Sequence, residues 1–231
     1  MDNILIDQVI DDTMILERIP AGKRAAFAAR FLEQLDVVDD CGRVVGRSAR
    51  GLVHRLGLRH RTVFVLAVSP AMEILLQMRG GGAASSQHRL DIGVGGHVRA
   101  GELDLRVSAI RETREELGME PDRSRLTLIG EYNRDSPLSI DRPHERNRER
   151  RTLFVYALDG EETASLQRRF EQRESRGEVA GYGWFSADEV ISAIDAGRVA
   201  DGLPSNFMHW LLSSASTTGR AERCITKPLD L

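Results

Sequence analysis

Glu112, Glu115 and Glu116 stand at i, i+3 and i+4 in the run from Arg111 to Gly118. On a helix this spacing lines three carboxylates along one face. Their mutual repulsion works against the helix unless a cation sits among them. A hard divalent ion such as Mg²⁺ does so with a few carboxylate oxygens and keeps positions open for water and phosphate. Leu103, Val107, Ile110 and Leu117 recur at near-helical spacing, which predicts an opposite face buried against a sheet. Arg111 and Glu115 lie one turn apart and can pair, and Gly118 is expected to end the helix in a left-handed cap. Before it, Gly95, Gly96 and Gly101 supply backbone that can approach a ligand closely. The competing reading is a solvated acidic helix after a glycine turn. Loop, arginine and glutamates together argue against it.

The surrounding chain bounds the class of protein. Its 231 residues suffice for one substantial domain with extensions. With 32 basic and 35 acidic side chains the net charge is −3, so nothing global points to nucleic acid or to a membrane surface. Lys23 and Lys227 are the only lysines, a bias toward arginine that weakens arguments from any single Arg. Cys41 and Cys224 form neither a disulfide framework nor a metal-ligand spacing, which suits a reducing cytosol. The N-terminus is acidic without a signal-peptide pattern, and no apolar run is long enough to span a bilayer, so a cytoplasmic protein is expected.

Taken in order, the pattern predicts a helix over Ala21–Leu35, packed on the domain or on a second copy of the chain as a homodimer. Leu35–Val38 and Arg43–Val45 flank Asp-Asp-Cys-Gly as a hairpin. Strands are expected over Val63–Val68 and Ile74–Met78, joined at Ser69-Pro70, and over Asp91–Val94. Gly80–Gln87 reads as a mobile loop. Leu126–Tyr132 and Leu153–Leu158 read as strands, joined by a long charged connection over Asn133–Arg151. A further strand ends at Phe185. Ser186 with Glu189 then forms a capping box for a helix over Ala187–Ile194. Leu203–Leu212 reads as a last helix, and the polar tail from Ser213 as loose. This order implies a mixed sheet between helices.

The central stretch resembles the Nudix box. Gly96, Glu102, Arg111, Glu112, Glu115, Glu116, Gly118 and Met119 match in order. Eight residues rather than seven separate Glu102 from Arg111, and Thr113 stands at the first aliphatic position. Val37–Val63, Ile74–Arg79 and the late Trp184-Phe185-Ser186 are similar to the Nudix branch that includes type I isopentenyl diphosphate isomerase. The resemblance implies an α/β class chain. Its fold would be an α/β/α sandwich on a mixed β-sheet over 35–197, with a partly helical extension over 1–34 and a C-terminal helix and tail over 198–231.

That isomerase protonates an alkene with a cysteine in a segment ending His-Pro. Here the segment Asp91–His97 has no cysteine, and Val98 replaces the proline. A hydrolase is therefore expected, with the isomerase or a Nudix-fold binding module without turnover as alternatives. The resemblance also implies histidine metal ligands at positions like His54, His60 and His97. Glu149 would join them, and Asn147 stands where a second carboxylate would be. Such donors suit a transition metal.

For the main site the resemblance implies Mg²⁺, or Mn²⁺, on Glu112, Glu115, Glu116 and the Gly96 carbonyl. Glu112 is the first choice of general base, Glu115 is part of the catalytic set, and Arg111 orients a carboxylate. The partner would be a small-molecule diphosphate: a nucleotide, a nucleotide sugar or an isoprenoid. Arg142, Arg146, Arg148 and Arg150 crowd one segment as candidate phosphate ligands, or pair internally with Glu145 and Glu149. No aromatic cluster marks a base-stacking platform.

Overall fold

The computed structural model describes residues 32–81, 88–139, 142–172, 179–200, 202–204 and 206–208. The expected Gly80–Gln87 loop lies outside them from residue 82, as do residues 1–31, 209–212 and the tail from 213. Leu32 is helical, but Gln34 and Leu35 already belong to the first strand, because Leu35 turns fully into the core.

That strand, β1 (Gln34–Val38), pairs antiparallel with β2 (Val44–Ala49), as the hairpin pattern predicts. Its turn is held by Asp39, whose Oδ1 accepts from the backbone N–H groups of Cys41 and Arg43. A short helix, α1 (Arg50–Arg55), follows and was not anticipated. The centre of the sheet is β3 (His60–Val68), longer than expected, and β4 (Ile74–Arg79) follows it across the Ser69 turn. The expected strand over Asp91–Val94 is two, β5 (Leu90–Ile92) and β6 (Val94–His97), which part at Gly93 and pair with different neighbours: β5 with β4, β6 with β3. Helix α2 (Leu105–Leu117) carries the acidic run.

The connection expected over Asn133–Arg151 is a correction. It continues two long strands, β7 (Leu126–Ser139) and β8 (Arg142–Ala157), in antiparallel register out to Ser139↔Arg142. Charge on both faces hides the alternation in sequence. The charges are cross-strand pairs of opposite sign, Arg150 with Glu131 at 3.0 Å and Arg148 with Asp135 at 3.3 Å, which support pairing. β8 runs parallel to β3 over His60↔Glu149 to Val68↔Ala157. Helix α3 (Gly160–Gln172) was also unforeseen, although Asp159 and Glu162 cap it reciprocally and Leu166 anchors it. β9 (Val179–Phe185) pairs with β4, and Ser186 with Glu189 caps α4 (Ala187–Asp195) through the expected box.

Alternation along β3 sends Val63, Val65 and Ala67 to one face, with α2 and α3. Leu66 and Val68 go to the other, with α4, Val199, Leu203 and Phe207. The result is a sandwich of two helical layers around a mixed sheet of nine strands among the described residues. No helix among these residues is long and apolar enough to cross a membrane.

A buried ion pair stands at the sheet's polar end, between neighbours on one face of β8. Arg151 bonds Glu149 through Nε at 2.7 Å and Nη2 at 2.6 Å, and lies over the Phe64 ring at 4.7 Å. Arg151→Met should therefore cost about 3–5 kcal/mol in urea unfolding, because Glu149 stays buried without its partner. The double variant Arg151→Met/Glu149→Leu should recover most of that loss. Equal stability of single variant and wild type would contradict the account.

Candidate functional site

The site forms where α2 lies against the glycine strand. Asp104 caps the helix by accepting from the Arg106 N–H, and Gly118 ends it at φ 66°, the left-handed cap expected from sequence. The buried face differs from the predicted one. Leu103 precedes the helix and is 82% exposed, and Val107 is 46% exposed. Leu117 is buried as expected and Ile110 packs against the core, but Ser108, Ala109, Glu112 and Thr113 take the places of Leu103 and Val107 on the buried face. Small Ala109 and glycine on β6 let helix and strand come together, and the Thr113 hydroxyl returns its bond to the Ala109 carbonyl at 2.8 Å.

The closest approach is at Gly96. A Cβ there would lie 2.0 Å from the Glu112 carboxyl carbon, so the carboxylate occupies the space a side chain would fill. Arg111 fixes it: Nη1 donates to Glu112 Oε1 at 2.5 Å, and Nη2 to the His97 carbonyl at 2.8 Å. Glu102 reaches the same guanidinium at 3.6 Å and accepts from the Ser108 hydroxyl. The Gly101 N–H, just before Glu102, is bound by Asp36 at 2.8 Å. Glu115 stands at the outer rim, 52% exposed, near Arg99 at 3.6 Å and Arg111 at 3.7 Å.

Glu112 and Glu116 are brought together one turn apart on the inner side. Burial raises the Glu112 carboxyl above its ordinary range, and Arg111 only partly opposes this. Burial, then the Glu112 charge, push Glu116 up to about 8, against the pull of the Gly95 N–H. Asp91, on β5, is raised by burial despite Arg79 at 2.8 Å. Sequence reasoning passed over Asp91 and Arg79. Asp91 stands in register with Gln77, so Arg79 reaches it diagonally across the paired strands.

A second cluster lies behind the glycine strand. The donor nitrogens of His54 on α1, His60 on β3 and His97 on β6 all lie within 4.8 Å of one another. His54 Nε2 and His97 Nε2 are 3.1 Å apart, and His60 Nδ1 is bound to the Leu58 carbonyl at 3.1 Å. His60 Nε2 and His54 Nδ1 are buried without a hydrogen bond. Burial, then the neighbouring His60, lower His54 to about 4, and burial lowers His60. Glu149 pairs with His60 in strand register. Burial alone would raise its carboxyl, but Arg151 and His60 hold it below its ordinary range.

The arginine segment is a strand rather than a loop, so its side chains alternate. Glu149 and Arg151 turn inward, while Arg146, Arg148 and Arg150 share the other face. Arg148 pairs with Asp135 and with Asp40 at 3.7 Å, and Arg150 with Glu131. These partners are not the Glu145 and Glu149 weighed from sequence. The Arg142 side chain lies outside the described residues.

The raised Glu116 has a consequence for the metal-free protein. Folding holds its proton where the unfolded chain releases it, so that stability is full below about pH 4.5 and is lost as pH rises through about 8. Glu116→Gln removes this dependence. Its melting temperature relative to wild type should climb steadily between those limits in the presence of chelator. A constant difference across the range would contradict the burial of Glu116.

The NUDIX domain profile matches residues 58–210. An uncharacterized Nudix hydrolase of Streptomyces coelicolor is 43% identical over 86 residues, 37% of this chain and 47% of that protein. The chain thus matches about half the length of that relative. Another, from Clostridium acetobutylicum, is 27% identical over 169 residues, 71% of this chain and 74% of that protein. Among solved structures, DR0079 from Deinococcus radiodurans superposes with a TM-score of 0.54 at 20% identity, covering 78% of this chain and 98% of that one, which bears on the fold alone. With the profile spanning both the glycine strand and the acidic helix, the chain belongs to the Nudix family.

Proposed function

We propose that the protein is a metal-dependent hydrolase that cleaves a phosphoanhydride in a diphosphate linked to another moiety. The observation that carries this reading is the Glu112 carboxylate pressed against the Gly96 backbone and gripped by Arg111. A carbonyl and carboxylates clustered this closely are hard oxygen donors, and the mutual charge of Glu112 and Glu116 is what a divalent ion relieves. Glu112, Glu116, Glu115 and the Gly96 carbonyl would hold Mg²⁺ or Mn²⁺. Such an ion neutralises diphosphate charge and makes its bound water more acidic.

The chain's own residues do the rest. Arg111 fixes the Glu112 carboxylate and ties it to the His97 carbonyl. Glu112, its basicity raised by burial, takes the proton of the attacking water. The water oxygen bonds to phosphorus, the bond to the bridging oxygen breaks, and the electron pair leaves with the departing phosphate. An isomerase-like chemistry lacks its acid here. Cys41 is exposed in the β1–β2 turn, Cys224 lies outside the described residues, and the Asp91–His97 segment holds no cysteine.

We assign the histidines to a separate ion. Three imidazoles suit a transition metal rather than Mg²⁺, and Glu149, held by Arg151, is not among them.

A panel of diphosphates incubated with Mg²⁺, with phosphate read after phosphatase treatment, tests the activity. Gly96→Ala displaces Glu112 by the width of a methyl group, so kcat should fall about 100-fold. In calorimetric titration Glu116→Gln should lose Mg²⁺ binding, while His54→Ala keeps Mg²⁺ and loses Zn²⁺. Unchanged Mg²⁺ affinity in Glu116→Gln, or no diphosphate cleaved, would overturn the reading.

A further inference from the structure

The histidine cluster lies on the face of the sheet opposite the acidic helix. Gly96 turns toward Glu112, and His97, next along β6, turns the other way. His60 and Glu149, in register on β3 and β8, share the histidine face, and so does Asn147, two residues before Glu149. His54 and His97 are half-buried at the rim, while His60 forms a fully buried floor. His60 Nδ1 donates to the Leu58 carbonyl, so Nε2 is the nitrogen left to ligate, and it is buried without a hydrogen bond. His54 Nε2 and His97 Nε2 stand 3.1 Å apart, a spacing that suits two nitrogens sharing one ion at about 2.0–2.1 Å from each.

What the cluster lacks is a fourth donor of its own. Among the described residues no carboxylate or thiol joins the three histidines. Glu149 is the near carboxylate, but its Oε2 takes both bonds of the Arg151 guanidinium. Asn147 adjoins His54 and Glu149, and its Oδ1 is buried without a hydrogen bond. An uncharged amide oxygen is a poor transition-metal ligand beside imidazoles, yet it accepts well from a water already bound to the ion. Arg50 stands one helical turn before His54, close enough for its charge to work against protonation of both His54 and His60. Imidazole ligands leave an ion its full double charge, and Arg50 adds to it, so the remaining position favours an anion or a readily ionised water.

We propose that the ion held by His54, His60 and His97 keeps an open fourth position beside Asn147, which takes water or a small anion. This rests on the histidines holding an ion at all. An exchangeable ligand beside three histidines sets a reactive zinc centre apart from a closed structural one. The protein thus carries a second ion site able to activate a ligand, on the face of the sheet away from the carboxylates.

The test is Co²⁺ added to the full chain in place of Zn²⁺, with excess Mg²⁺ to occupy the carboxylates, followed by titration with azide. Visible absorption reports the coordination of the cobalt, and a thermal melt checks the fold of each variant. Wild type should show an intense band that saturates at one Co²⁺ per chain and is absent in His54→Ala, and azide should shift it saturably. Asn147→Glu brings a carboxylate to the open position, so the band should persist while azide affinity falls tenfold or more, about 1.4 kcal/mol. No band in wild type, or a band that survives His54→Ala, overturns the ion and the open position with it. A band that azide leaves unchanged overturns the open position alone. Equal azide affinity in wild type and Asn147→Glu overturns its placement beside Asn147. Should Asn147→Glu fail to fold, Arg50→Gln is expected to keep the band and bind azide about fivefold more weakly, and equal affinity there overturns the placement. None of these readings depends on cleavage of a diphosphate, so they stand apart from the hydrolase assignment.

Discussion

The contact between the Glu112 carboxylate and the Gly96 backbone is the constraint on which the rest of the site depends. A helix carries the carboxylate, a strand presents the glycine, and neither position tolerates a bulkier neighbour. Holding the two together requires α2 to lie close on β6, which in turn requires small residues at the crossing and a sharp stop at Gly118. Arg111 completes the arrangement by bonding the carboxylate and the strand's own carbonyl at His97. The same arginine thus neutralises charge and fixes geometry.

Burying so many carboxylates is costly, and the sequence offsets that cost in pairs. Asp91 faces Arg79, Glu149 faces Arg151, and Glu112 faces Arg111. At Glu116, burial and the Glu112 charge leave the proton tightly held. A group that stays protonated to about pH 8 in the metal-free fold is primed to exchange that proton for a cation. The histidines behind the strand are the complementary case, as burial works against protonation of His54 and His60.

What sequence could show followed the range of the interactions. The helix, its glycine stop, the hairpin at Asp39 and the capping box at Ser186 are encoded within a few residues, and each was legible. The face that α2 buries was misjudged, because periodicity ranks Leu103 and Val107 above Glu112, whereas the glycine strand selects the face that can come closest. The β7–β8 hairpin read as a connection because its alternation is between charges, and only the partner strand shows that Asp135 and Glu131 answer Arg148 and Arg150. Phe170 belongs to α3 while Tyr182, on which its ring stacks, and Trp184 belong to β9, so no local pattern joins them. The histidines were named through family resemblance, and it took β3, β6 and α1 to bring them within reach of one another.

The central claim is that the Glu112–Glu116 cluster beside Gly96 is a divalent cation site. Anomalous scattering from crystals grown with Mn²⁺, collected on both sides of the manganese edge, tests it most directly. The account predicts a peak within coordination distance of the Gly96 carbonyl and the carboxylates of Glu112 and Glu116, lost in Glu116→Gln crystals. Manganese found only among His54, His60 and His97, or at neither place, would contradict it.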